Sequence, residues 1–151
     1  MTETVVVVVA DADILASTVA ARLVIKIIDA QAERGWAGVV LTGGRIAAKV
    51  LRSVKDLPAA DAIDWSHVDL WWGDERFLPA GHPDRNETQA REALLDALPL
   101  DPARVHPMPA SDGPDATSHT SSALWIAAMV SVTRVGGGLG ELCTAAVVPV
   151  A

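Results

Sequence analysis

Val5 to Val9 form an unbroken run of β-branched residues, and a helical pattern opens two residues later. A run of that kind fits a strand buried on both faces, which in turn demands helices to cover it. Asp11 and Asp13 are placed to cap a helix in which Leu15, Val19, Leu23 and Ile27 recur at every fourth residue. Arg34 falls in its last turn and Gly35 ends it. The alternation continues. "WAGVVL" (36–41) reads as a strand, roughly 45–56 as a helix, and "HVDLWW" (67–72) as a strand. "ETQAREALLDAL" (87–98) reads as a helix with Asn86 as its cap, and "RVHPM" (104–108) as a short further strand. Strands alternating with helices imply an α/β fold: a Rossmann-like parallel sheet with helices on both faces. Val5–Val9, Val39–Leu41 and Val68–Trp72 are expected as neighbouring parallel strands.

In such sheets ligands sit beyond the carboxyl ends of the strands, and two unusual stretches fall there. "LTGGR" (41–45) sets two glycines between a strand and a helix. Glycine permits close backbone approach, a helix start offers free N–H groups to an anion, and Arg45 adds a charged fork. A tight turn that needs glycine for its angles explains the same residues. "GDER" (73–76) closes the third strand with three consecutive charges. They suit a polar ligand, and they equally suit a solvated loop with local ion pairs. Trp71 and Trp72, adjacent on a strand, should point to opposite faces as packing.

Composition narrows the partners. The 151 residues carry a net charge of −7, against nonspecific nucleic-acid binding, which wants a basic face. The single cysteine, Cys143, cannot form an internal disulfide and fits a reducing compartment. The N-terminal run lacks a basic segment before it, and "ALWIAAMVSV" is about half of what a bilayer needs. A soluble, cytoplasmic, monomeric protein is therefore expected, with no membrane partner. Beyond Gly113 the character changes: the last 38 residues hold only Asp115, Arg134 and Glu141 as charges, with "TSHTSS" and "GGG" tracts. Residues 1–113 read as one α/β domain and 114–151 as an atypical tail, expected to be the least ordered part.

Taken together, "VVLTGGR", "VDLWWGDERFLP", "DRNETQAREALL" and "RVHPMPA" resemble the 6-phosphogluconolactonases, a group within the superfamily that includes the glucosamine-6-phosphate deaminases. The resemblance covers roughly residues 5–113 and is most specific at Trp72-Gly73-Asp74-Glu75-Arg76, Pro79 and Arg85-Asn86. It implies hydrolysis of 6-phosphogluconolactone to 6-phosphogluconate in the oxidative pentose phosphate pathway, with neither metal nor organic cofactor. It makes the partner a small-molecule sugar phosphate. By the resemblance Gly43 and Gly44 belong to the loop that cradles the phosphate, with Arg45 where a smaller residue is usual. Asp74 supports catalysis, Arg76 contacts phosphate or substrate, and Asn86 is a contact or a helix cap. An arginine rather than an aromatic residue after Asp74-Glu75 favours the lactonase over the deaminase, which would use an acid such as Asp74 for proton transfer. A non-enzymatic sugar-phosphate-binding fragment is the third reading.

The resemblance also implies a Gly-x-Gly-x-Asp-Gly-His segment whose histidine is the general base. Here Gly138-Leu139-Gly140-Glu141 runs into Leu142-Cys143-Thr144, and no Asp-Gly-His follows. The tail reads as a truncated or frame-shifted end, the fold as incomplete relative to the family, and the chain as a poor lactonase. Among His67, His82, His106 and His119, His82 in the proline loop is the first candidate to stand in as base.

Overall fold

The computed structural model describes residues 8–113. Its first helix, α1 (Ala12–Arg34), begins where the sequence signals it: Asp11 Oδ1 accepts hydrogen bonds from the N–H groups of Asp13 (2.9 Å) and Ile14 (2.8 Å). It stops at Gly35, whose φ of 82° is a left-handed conformation that glycine adopts without penalty, and whose N–H donates to Gln31 O. Arg34 then lies over the ring of Trp36.

The buried face of α1 is not centred on the expected stripe. Ala16, Ala20, Val24 and Ile27 are fully buried, while Leu15, Val19 and Leu23 are half-buried. A strict four-residue repeat drifts about 40° per step around a helix of 3.6 residues per turn. The large residues therefore flank the contact line, and the two alanines on it let the backbone of α1 approach its main packing partner, α2 (Arg45–Lys55).

Between these helices runs β1 (Ala37–Leu41), followed after α2 by β2 (Val68–Trp72) and, much later, β3 (Val105–His106). The three strands pair in the order β1-β2-β3, all parallel, with Ala37 beside Val68, Leu41 beside Trp72 and Leu70 beside Val105. This is the parallel α/β sheet expected from the alternation. Val5–Val9, the expected neighbouring strand, lies mostly outside the described residues. The two of its residues that are described, Val8 and Val9, are not strand, and Val8 is 89% exposed. The strand expected over 104–108 is shorter, two residues long, because a 3-10 turn at Pro102–Arg104 leads straight into it.

Pleating divides the sheet. Ala37, Leu41, Val68, Leu70 and Trp72 face the core with Val50, Leu51 and Val54 of α2 and the buried residues of α1. On the other face Val40 is partly exposed, and Asp69, Trp71 and His106 form a cluster. Asp69 accepts from Arg104 Nη1 at 2.7 Å and lies 3.3 Å from His106 Nε2, while the His106 ring stacks on Trp71 at 3.8 Å. The two tryptophans thus pack on opposite faces, as strand alternation requires.

The third helix, α3 (Asn86–Ala93), is shorter than the expected 87–98. It breaks at Leu94 (φ −152°, ψ −49°) into a 3-10 turn, Leu95–Ala97, and both Leu94 and Leu95 end up in the core. Asn86 is its first helical residue rather than its cap.

Candidate functional site

Three loops meet at the carboxyl ends of β1 and β2: Thr42–Gly44, Gly73–Arg76 and the start of α3. The first is set by two glycines used differently. Gly44 has φ 96° and ψ 165°, a region open essentially to glycine alone. Gly43 has an ordinary backbone, but a methyl group on it would overlap the Asn86 side-chain amide. Asn86 is only 6% exposed, and its Nδ2 donates to Asp74 O at 3.0 Å. The absence of a side chain at Gly43 is thus filled by Asn86, and that amide ties the glycine turn to the charged loop. Thr42 Oγ1 adds a second tie, donating to Asp74 Oδ1 at 3.2 Å.

Gly44 offers α2 no side-chain cap, and the first turn of α2 holds no acidic residue. Its leading N–H groups are left for solvent or an anion. Arg45, exposed at the first helical position, places a cation where the helix dipole disfavours one, an arrangement that a bound anion would relieve.

The three charges of "GDER" divide by direction. Asp74 and Arg76 are exposed, whereas the Glu75 side chain is 2% exposed. Its carboxylate accepts from the backbone N–H groups of Arg76 (2.8 Å), Asn86 (2.7 Å) and Glu87 (2.9 Å), so it caps α3 from a distance as well as bracing its own loop. Facing it is Arg85, 1% exposed, with Nη2 at 3.7 Å from Glu75 Oε2 and 3.3 Å from Glu87 Oε2. Arg85 also donates to the carbonyls of Leu78, Met108 and Pro109 and, at 3.4 Å, Arg76. One guanidinium thus joins the charged loop, the proline loop and the segment after β3. Its Nε, like the indole nitrogen of the buried Trp72, is buried without a hydrogen-bond partner among the described residues.

Of the residues singled out from sequence, Gly43, Asn86 and Asp74 are in contact through these bonds, and Gly44 adjoins them. A narrow cleft is lined by Thr42, Gly43, Gly44, Ala48, Leu51, Asn86, Gln89 and Ala90. Arg45, Asp74 and Arg76 lie outside that lining. Nothing in the local pattern marks Thr42, Glu75 or Arg85 as site residues: alternation continued from Val68, Leu70 and Trp72 would turn Asp74, not Glu75, toward the core, and the chain leaves the strand at Gly73.

The described histidines are occupied elsewhere. His82 Nδ1 accepts from the Asp84 N–H at 3.1 Å, within its own loop. His67 Nδ1 lies 2.8 Å from Asp64 Oδ2 and 3.1 Å from Ser66 Oγ. A serine, a histidine and an acid meet there, but the serine and the acid share one ring nitrogen, so no proton relay runs through the ring. The hydroxyl of Ser66, and after it His67, hold the Asp64 carboxyl below its ordinary value. His119 and the whole expected tail, 114–151, lie outside the described residues. Among the described residues no group of three or more His, Cys, Asp or Glu side chains could hold a metal ion, and no helix is long and apolar enough to cross a membrane.

Fold and site together define a parallel α/β protein with a glycine turn and a braced acidic–basic pair at its strand ends. Residues 10–133 match the family described as glucosamine-6-phosphate isomerases/6-phosphogluconolactonase, and the chain belongs to that family. It is 64% identical over 104 residues to the 6-phosphogluconolactonase of Streptomyces coelicolor, which covers 69% of this chain and 40% of that protein. It is 47% identical over 103 residues to the 6-phosphogluconolactonase of Mycobacterium tuberculosis, covering 68% of this chain and 41% of the relative. The chain thus spans about two fifths of the length of these curated relatives. In fold it resembles the 6-phosphogluconolactonase of Thermotoga maritima (TM-score 0.64, 19% identity, 80% of this chain and 52% of that one). It equally resembles a monomeric glucosamine-6-phosphate deaminase (TM-score 0.65, 16% identity, 83% and 49%).

Proposed function

We propose that this chain carries the sugar-phosphate-recognition part of a 6-phosphogluconolactonase. The observation that carries the reading is the exposure of Asp74 and Arg76, the residues before and after the buried Glu75, with Asp74 O tied to the Asn86 that fills the space at Gly43, in a chain 64% identical to a protein of that name. In this reading the phosphate sits against the open first turn of α2 and Gly44, held by Arg45 and Arg76 as charge-assisted donors. Asp74 orients the sugar acid end. In the hydrolysis, water adds to the C1 carbonyl of the lactone, the ring C–O bond breaks, and the ring oxygen leaves as a hydroxyl.

A positioned general base typically contributes roughly 10²–10⁴-fold to such a step. Residues 1–151 contain no Asp-Gly-His segment, and His82 spends its Nδ1 on its own loop. We therefore propose binding with slow turnover for this chain, acting as a cytoplasmic monomer, with residues 1–113 as the recognition unit. The test follows loss of 6-phosphogluconolactone against its spontaneous hydrolysis, with the full-length Streptomyces relative as control. A rate at least about 10²-fold below the control is expected. A comparable rate would mean that a base within residues 1–151 has been overlooked, and ammonia release from glucosamine 6-phosphate would replace the reading by the deaminase.

A further inference from the structure

The geometry points to Glu75 and Arg85 as positioning residues for phosphate recognition, an inference that rests on the function just proposed and assigns what sets its geometry. Asp74 and Arg76 are exposed, and a side chain on a free loop would sample many directions. What limits them is the residue between. Glu75 fixes the backbone on both sides: it accepts from the Arg76 N–H itself, and its bonds to the Asn86 and Glu87 N–H groups hold the start of α3, from which Asn86 reaches back to Asp74 O. Both neighbours of Glu75 are thereby clamped to one helix end. That helix end is also the one whose Asn86 fills the space at Gly43, so the glycine turn and the charged pair are held in one register.

Arg85 completes the clamp. It neutralises a carboxylate that is almost wholly withdrawn from water, and its hydrogen bond to Leu78 O holds the chain just past Arg76. Its bonds to Met108 O and Pro109 O, with the Ser111 N–H donating to Leu78 O, anchor that loop to the segment after β3. A buried ion pair is weak evidence for stability, because desolvation offsets most of the attraction. A fixed direction for two exposed charges is a use that an apolar pair could not supply.

The test compares Glu75→Gln and Arg85→Lys with wild type in the full chain, titrating 6-phosphogluconate and gluconate by calorimetry below the unfolding temperature. Glu75→Gln keeps the shape and removes the charge, and Arg85→Lys keeps the charge and removes the fork. Both variants are expected to lose roughly ten-fold or more of the preference for the phosphorylated ligand, the size of one lost charge-assisted hydrogen bond; the ratio of the two affinities is the readout, since loosening Asp74 weakens both ligands alike. A merely structural role would lower unfolding temperature and leave the preference among folded molecules intact; that result overturns the inference. A wild type without any preference overturns the proposed function, and this inference with it. Should the variants not fold, amide exchange on wild type decides. Coupling is reciprocal, so 6-phosphogluconate should slow exchange at Arg76, Asn86 and Glu87 where gluconate does not, and equal exchange with both ligands contradicts the role.

Discussion

Replacing Gly43 by alanine asks whether that glycine serves the backbone or its neighbour. Its φ is not positive, so alanine meets no left-handed backbone penalty there. The added methyl would instead overlap the Asn86 amide, which is buried and bonded to Asp74 O. Asn86 must move. Losing its hydrogen bond while Asp74 O and the amide stay partly buried costs about 1–3 kcal/mol, and the overpacking adds about 1–3 kcal/mol. The expected loss is about 2–6 kcal/mol, a large fraction of a domain's usual 5–15 kcal/mol, so urea unfolding at low temperature is the appropriate assay. The discriminating step is a double-mutant cycle. In an Asn86→Ala background the methyl enters space the amide has vacated, and Gly43→Ala should then cost less than about 1 kcal/mol, giving a coupling near the upper end of the usual 0.5–3 kcal/mol. Gly44→Ala is the contrast. Its cost, about 1–3 kcal/mol for a glycine-only conformation, should be the same in both backgrounds. Equal costs of Gly43→Ala with and without Asn86 would refute the packing argument.

Arg76→Ala should remove most of the preference for 6-phosphogluconate over gluconate, about 1.5–3 kcal/mol in calorimetry; an unchanged preference assigns the phosphate elsewhere. Asp69→Ala leaves Arg104 and His106 without their shared acceptor. Because the pair is partly exposed, a stability loss of only about 1 kcal/mol is expected in urea unfolding, with a change in Trp71 fluorescence as its stacked histidine loosens. Asp64 gives a pH signature. Its carboxyl is a stronger acid when folded, through Ser66 and then His67, so its contribution is fully present above the ordinary value of about 3.9 and fades as pH falls through the lower folded value. Asp64→Asn should therefore lower the unfolding midpoint at pH 7 and converge with wild type at the acid end; a constant gap across pH would contradict the assignment.

How much of this was legible in sequence follows from the range of each interaction. Asp11 and Gly35 mark the ends of α1 through residues within four positions of themselves, and both act as expected. That β1 and β2 are parallel neighbours follows from the strand–helix alternation, and strand pleating separates Trp71 from Trp72. The buried line of α1 was displaced because Ala16 and Ala20, weak as hydrophobic signals, are chosen for closeness to α2. α3 is short because its last turns tighten to bury both Leu94 and Leu95, a tertiary preference that overrides a good helical pattern. At the site, "TGG" and "GDER" could be marked as unusual, but the reason for Gly43 lies 43 positions away in Asn86. The partner of Glu75 is likewise Arg85, across the proline loop. A sequence shows that three charges stand together; only the fold shows that the middle one faces inward.

Recognition of a phosphorylated sugar acid at the strand ends is open to direct measurement, by calorimetric titration of the purified chain with 6-phosphogluconate and with gluconate. 6-Phosphogluconate should bind at least about ten-fold more tightly, as expected for one or more charge-assisted hydrogen bonds to the phosphate, and the advantage should shrink as salt is raised. Equal affinity for the two ligands, or none for either, would contradict it.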